Sequence, residues 1–254
     1  MSHHRGSRVK LPIYISSVLL ERNRLSSEKT PSYRVSEWSE RFADAGFDGI
    51  ELWENHLLLA ESAEREAILG GPLPVTVLNT YCGFDDAGEE GRKASASLAR
   101  FLGVAAVKFN FGNERSLAQT YIDNLTTWRD ELPEGCRLLC ECHPDTVLEE
   151  PDRAADILNS ARINIEIIVH AFSGDDESSL RRWLNAFGPA VTHIHAVLSD
   201  RNRVNRRVEM IKQANFAGTC SIEFCVGVNQ PSESMNKLLS TAADDLRYLR
   251  EVLA

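Results

Sequence analysis

The feature that most constrains this chain is a regular alternation. Short runs rich in β-branched and aromatic residues are followed, from one end to the other, by longer stretches whose apolar residues recur at three- and four-residue steps. The strand-like runs are LPIYIS (11 to 16), DGIELW (48 to 53), PVTVLNTY (74 to 81), AAVKFNF (105 to 111), RLLCECH (137 to 143), NIEIIVH (164 to 170), VTHIHAVL (191 to 198) and CSIEFC (220 to 225). Between them lie amphipathic helical patterns such as VSEWSERFADAGF, EGRKASASLARFLGV, AQTYIDNLTTWRDEL, PDRAADILNSA, ESSLRRWLNAFG, VNRRVEMIKQANF and TAADDLRYLREVLA. Glycines such as Gly46, Gly103 and Gly218 mark several exits. Eight strands alternating with eight helices in 254 residues is the count of a closed (β/α)8 barrel, an α/β fold in which right-handed helical crossovers join parallel strands. An open doubly wound sheet would carry a Gly-rich turn after its first strand, whereas SSVLLERNR has no glycine. With no linker or composition break, residues 1–254 read as one barrel domain, residues 1–9 forming a polar tail in which His3 and His4 have no role.

The balance of residues narrows the partners. A 43% hydrophobic share supplies a full core, and a net charge of −9 disfavours gripping a polyanion, because duplex binding rests on Lys and Arg neutralising phosphates. Six cysteines form no CxxC pair, and four of them (Cys140, Cys142, Cys220, Cys225) sit in apolar runs as small hydrophobes; Cys140 and Cys142 have no second pair at zinc-finger spacing. Arg5, Arg8 and Lys10 before an apolar run resemble a leader, but Pro12 and two serines break the run, which reads instead as the first strand. No apolar stretch is long enough to span a bilayer. The expectation is a cytoplasmic protein acting on a small molecule, with homo-oligomerisation left open.

In an extended strand alternate side chains share a face, so His193 and His195 of VTHIHAVL point the same way. Backbone carbonyls could satisfy them, or a metal could. Barrels of this type place functional groups at the carboxyl ends of the strands. Those ends carry Glu51 near Trp53, Asn79 and Tyr81, Lys108 and Asn110, Glu141 and His143, His170, His193 and His195, and Glu223. Such residues are poor choices for a strand interior unless paired or coordinated. Glu141, His170, His195 and Glu223 fall on four successive strands, and two carboxylates with two imidazoles suit Mn²⁺, Co²⁺, Zn²⁺ or Fe²⁺ better than Mg²⁺ alone. Trp53, Tyr81 and Phe109 are either sugar-stacking rings or rim filler, and RNRVNRR (201 to 207) reads as a solvated helix start with only Arg201 turned to the pocket.

DGIELW, LLCECHP, VTHIHAVLSDR and GTCSIEF, in this order, resemble the xylose isomerase-like TIM barrels. That sugar phosphate isomerase/epimerase superfamily includes ketose 3-epimerases, hydroxypyruvate isomerases and endonuclease IV. The resemblance covers nearly the whole chain. It implies that Glu141, His195 and Glu223 are metal ligands ending strands five, seven and eight, and that Arg201 contacts substrate. The relatives' fourth ligand, an aspartate on strand six, is His170 here; the histidine often found three residues later is Ser173, and a second glutamate expected six residues beyond Glu141 is Val147.

The function implied is a divalent-metal-dependent isomerase or epimerase of a hydroxy-ketone sugar. The metal would hold a carbonyl and the adjacent hydroxyl, and Glu141 and Glu223 would move the proton of an enediolate from opposite faces. Arg201 and Lys108 would steady negative charge. Candidate substrate-side residues are Arg201, Lys108, Glu51, His56, His143 and His193, with His193 also supporting His195 and Glu51 alternatively paired to Lys108. A leaving group β to the reacting carbon would turn the same enediolate to elimination, a metal-dependent lyase or dehydratase. Rival readings are endonuclease IV-like phosphodiester cleavage and a barrel that binds sugar without turning it over.

Overall fold

The computed structural model describes residues 11–24, 26–172, 177–198, 200–225 and 233–253. Ser173, His3, His4 and the 1–9 tail lie outside them. Each apolar run becomes a parallel strand, shorter than its sequence pattern because the polar ends leave the ladder: β1 (Ile13–Ser16), β2 (Ile50–Trp53), β3 (Val75–Asn79), β4 (Ala106–Phe109), β5 (Arg137–Glu141), β6 (Glu166–Val169), β7 (Val191–Val197) and β8 (Thr219–Phe224). The helices are α1 (Ser39–Ala45), α2 (Asn55–Leu58), α3 (Ser62–Leu69), α4 (Glu89–Leu102), α5 (Ala118–Glu131), α6 (Pro151–Ser160), α7 (Glu177–Phe187), α8 (Arg201–Gln213) and α9 (Met235–Val252). The strands pair in sequence order and close when β1 meets β8, Tyr14 opposite Ser221 and Ile15 opposite Ile222. No helix among the described residues is long and apolar enough to cross a membrane.

The crossover after β2 is the weakest in sequence. It is split into α2 and the short α3, whose only buried side chain is Ile68, so no apolar stripe announces it. Two glycines are dictated by geometry. Gly46 ends α1 at φ 96°, a left-handed cap that a β-carbon disfavours, and a β-carbon on Gly218 would lie 1.9 Å from the Thr192 carbonyl oxygen where β8 enters beside β7.

Period-two alternation sorts the strand residues into two cores. Ile15, Leu52, Leu78, Val107, Cys140, Ile167, Ile194 and Ile222 face the helices in one large buried cluster. Inside the barrel Tyr14, Val77, Ala106, Leu139 and Ile168 form a separate apolar plug. Two residues further along the same strands the side chains are Asn79, Lys108, Glu141 and His170. The inside of the barrel thus changes from hydrocarbon to charge within one pleat, towards the end where strands emerge into their βα loops.

Candidate metal centre

Glu141 ends β5, His170 follows β6, and His195 and Glu223 occupy the inward positions of β7 and β8. Each offers a donor atom, and these atoms all lie within 4.8 Å of one another. Donors around one ion at bonds of about 2.0–2.2 Å are separated by roughly 3 to 4.4 Å. Glu141 Oε1 lies 3.0 Å from His170 Nε2 and 3.2 Å from His195 Nδ1, while Glu223 Oε2 lies 3.5 Å from His195 Nδ1 and 3.9 Å from His170 Nδ1. Two carboxylates from separate strands therefore aim at the same imidazole nitrogen, which can satisfy only one of them by hydrogen bonding. The set fits a borderline divalent ion, which would meet lone pairs from all four groups. His170, with 31% of its side chain exposed, forms the open side; the other three are buried.

The outer oxygens of the two carboxylates face cations. Glu141 Oε2 is 2.6 Å from Lys108 Nζ and 3.3 Å from Asn110 Nδ2, and Glu223 Oε1 is 3.3 Å from Arg24 Nη1. Arg24 Nη2 donates to the Tyr81 hydroxyl at 2.6 Å, and Lys108 Nζ sits 4.0 Å from the centre of the Tyr81 ring. Burial works to raise the Glu141 carboxyl, but the Lys108 ammonium and hydrogen bonds from His170 and His195 outweigh it and hold the group well below the usual carboxylate range. Lys108 is correspondingly raised: burial opposes its charge, and Glu141 restores it.

Beneath this mouth lies a second buried layer. Glu51 accepts from Asn79 Nδ2 at 3.0 Å, and its other oxygen is 3.3 Å from both His193 Nε2 and His195 Nε2. His193 is held further by Thr219 at 2.6 Å and Ser221 at 3.0 Å. Burial would raise the Glu51 carboxyl, but the two imidazoles pull it well below its ordinary value. The two histidines diverge for a simple reason. Burial would lower both; His195, seen by Glu51, Glu223 and Glu141, ends well above the imidazole norm, whereas His193, with Glu51 alone and His195 beside it, ends below. A carboxylate behind the far nitrogen of His195 leaves Nδ1 to the cluster, the arrangement that orients a metal-ligating imidazole.

Several sequence expectations meet a different geometry. Arg201 is turned from the mouth to α9, 3.7 Å from Asp245 and over the Tyr248 ring; the arginine of that run which goes inward is Arg207, 1% exposed, donating to the Ala171 carbonyl beside His170. Arg207 shares a face with Val204, Val208 and Ile211, a helical spacing readable in the sequence. Glu51 pairs with the histidines, not with Lys108. His193 is wholly buried below the cluster, and His56 is packed between Tyr33 and Trp53 and borders a separate cavity lined by Ser32, Arg34 and Glu64. His143 is exposed and its Nδ1 lies 2.7 Å from the Pro144 carbonyl oxygen, in its own loop. Phe109 is sealed against Phe84 and Trp128 under the helices and Trp53 is buried with Val18 and Phe224, leaving Tyr81 as the ring at the mouth. Val147 is a core residue. Arg24, in the loop after β1, was missed; its one signal is a basic residue in a βα loop, where barrels of this type build their sites.

No family model and no curated protein matches the sequence. Solved structures match the fold across almost the whole chain. A xylose isomerase-like TIM barrel protein from Mycobacterium smegmatis, in complex with magnesium, is 14% identical at a TM-score of 0.67, covering 96% of this chain and 98% of its own. The 3-keto-D-glucoside 4-epimerase YcjR from E. coli is 17% identical at 0.67, covering 95% and 100%. The IolI protein with a bound zinc atom is 16% identical at 0.64, covering 96% and 98%. The chain therefore has the xylose isomerase-like TIM-barrel fold.

Proposed function

We propose that this barrel is a divalent-metal-dependent isomerase or epimerase that transfers a proton at the carbon next to the carbonyl of a hydroxy-ketone sugar or sugar derivative. The observation that carries the reading is the convergence of Glu141, His170, His195 and Glu223 at the open end of the barrel. A fold shared with a keto-glucoside epimerase and with magnesium- and zinc-bound proteins supports it. A divalent ion held by these four residues would polarise a carbonyl and its neighbouring hydroxyl.

The chain's own groups supply the rest. Lys108 keeps Glu141 ionised, which suits it to hold the ion. Glu223, reached by Arg24 from the loop side, is the group assigned to take the proton and, once protonated, to return it, while Glu141 stays ionised on its separate strand. Glu51 fixes the His195 ring from behind. Tyr81 and Asn110, both part-exposed, are the polar edge against which a hydroxylated substrate would rest.

The test joins metal and label. Purified protein should take up one Mn²⁺, Co²⁺, Zn²⁺ or Fe²⁺ per chain, lose activity on chelation, and incorporate solvent deuterium into a ketose or keto-glycoside product. Release of water during turnover would reassign the same site to a dehydratase. A metal-free protein that neither binds these ions nor exchanges label would end the reading.

A further inference from the structure

The two carboxylates of the cluster are each divided between tasks. Glu141 turns Oε1 to the imidazoles and Oε2 to Lys108; Glu223 turns Oε2 to the imidazoles and Oε1 to Arg24. Lys108 and Arg24 therefore stand outside the space among the four donor atoms, on opposite carboxylates, and both touch Tyr81, one through the ring face and one through the hydroxyl.

These cations are costly and deliberate. Lys108 is wholly buried, and beyond its ion pair its ammonium has no hydrogen-bond partner of good geometry among the described residues, although it carries three donors. Arg24 has only 17% of its side chain exposed. Its loop is pinned by a second buried carboxylate: Glu21, 2% exposed, accepts from the Asn23 amide at 2.7 Å and the Ser32 amide at 3.0 Å, and the Tyr33 hydroxyl donates to the Ser17 carbonyl at 2.7 Å. The guanidinium is thus held at the mouth by a built loop.

Charge decides what such a mouth accepts. With a divalent ion among the donors, the three carboxylates of Glu51, Glu141 and Glu223 face two basic side chains and the ion, which leaves one formal positive charge in a pocket of low dielectric. Glu54, beside Tyr81, and Glu21, in the Arg24 loop, are occupied by hydrogen bonds of their own and stand outside that count. A neutral ketose would leave that charge uncompensated, at a cost that burial magnifies.

We infer that the substrate carries a carboxylate, a sugar acid or keto-acid, and that Arg24, with Lys108 behind it, is the residue that recognises the carboxylate. The inference rests on the proposed metal site and adds the chemical class that site would take. A planar guanidinium suits a carboxylate by two parallel hydrogen bonds, and of the two cations on the cluster's carboxylates Arg24 is the one partly open to solvent.

Calorimetric titration of the Mn²⁺-loaded protein, excess metal removed, with D-gluconate and with its uncharged counterpart D-sorbitol tests this, and Mn²⁺ stoichiometry is measured on every variant. The wild type should bind gluconate about ten- to a hundredfold more tightly than sorbitol. Arg24→Gln, which also removes a cation from Glu223, should lose most of that preference, with gluconate binding falling far more than sorbitol binding at the Mn²⁺ occupancy measured on the same sample, and Arg24→Lys should keep part of it. Equal binding of acid and polyol by the loaded wild type, or a gluconate preference that survives Arg24→Gln, overturns the inference while leaving the metal reading intact. A wild type that takes up no stoichiometric Mn²⁺ overturns both.

Discussion

The lower and upper halves of the barrel interior are built on the same strands and obey opposite rules. Val77, Ala106, Leu139 and Ile168 close the bottom with hydrocarbon, and Asn79, Lys108, Glu141 and His170, each two residues later, fill the top with charge. The lower tier gains free energy by leaving water, on the order of 25 cal/mol per Å² of apolar surface. The upper tier loses it, because every buried ion there must be matched by a partner to be tolerated. Stability is thus stored at one end and chemical capability at the other, and the fold can change the second without rebuilding the first.

The sharpest way to break this division is Glu223→Gln. The fold should survive with a melting temperature close to the wild type, while turnover falls by roughly 10²–10⁴, the worth of a positioned acid or base. A Glu223→Gln protein that unfolds would show that the upper tier carries structural weight after all. Lys108→Met comes next: it strands Glu141 without its cation, and chemical denaturation of the metal-free protein should show a loss of about 3–5 kcal/mol, much of it recovered when Glu141→Gln is added. Leu139→Ala, one pleat below, should cost about 2–5 kcal/mol by leaving a cavity, yet leave metal stoichiometry untouched.

Two buried histidines extend the comparison to pH. His195 is charged up by carboxylates, whereas His56, with burial as its main influence, is pushed down to about 3. A group depressed in the folded state contributes stability that is complete above its ordinary value and is lost as pH falls through the folded one. His56 should therefore make the protein progressively less stable between about pH 6.5 and 3, by up to about 5 kcal/mol, and His56→Phe should flatten that limb of the stability curve. An unchanged acid limb would mean that His56 finds its proton a partner, with Glu21 at 3.7 Å the candidate. The smallest effect is expected from Arg201→Ala. Its partner Asp245 is on α9 and the pair is half open to water, so activity should stay within about twofold and stability within about 1 kcal/mol. A hundredfold loss of kcat/KM would show instead that Arg201 swings into the mouth during turnover.

Much of the frame was legible because periodicity is local. All eight strands follow from their apolar runs, and the step of two that separates Leu139 from Glu141 or Ala106 from Lys108 is visible in the letters alone. The convergence of Glu141, His170, His195 and Glu223 was legible too, since the ends of neighbouring parallel strands meet in space. Partnerships across the barrel were not. Glu51 and His193 are 142 residues apart, and Arg24 and Glu223 are 199 apart, so no spacing rule relates them. Arg201 and Arg207 differ only by where a helix face falls against its neighbours, a matter of packing that charge counting misses.

The order of strands, the inward position of each polar residue and the end of the barrel where they gather were determined by the sequence itself, because side-chain alternation and strict strand–helix succession leave little else for such a chain to do. Which carboxylate faces which cation, which histidine is drawn up and which pressed down, and which arginine guards the mouth were decided only when the barrel closed. Pairing energies depend on distances of a few ångströms between residues far apart in the chain, and closure alone sets those distances.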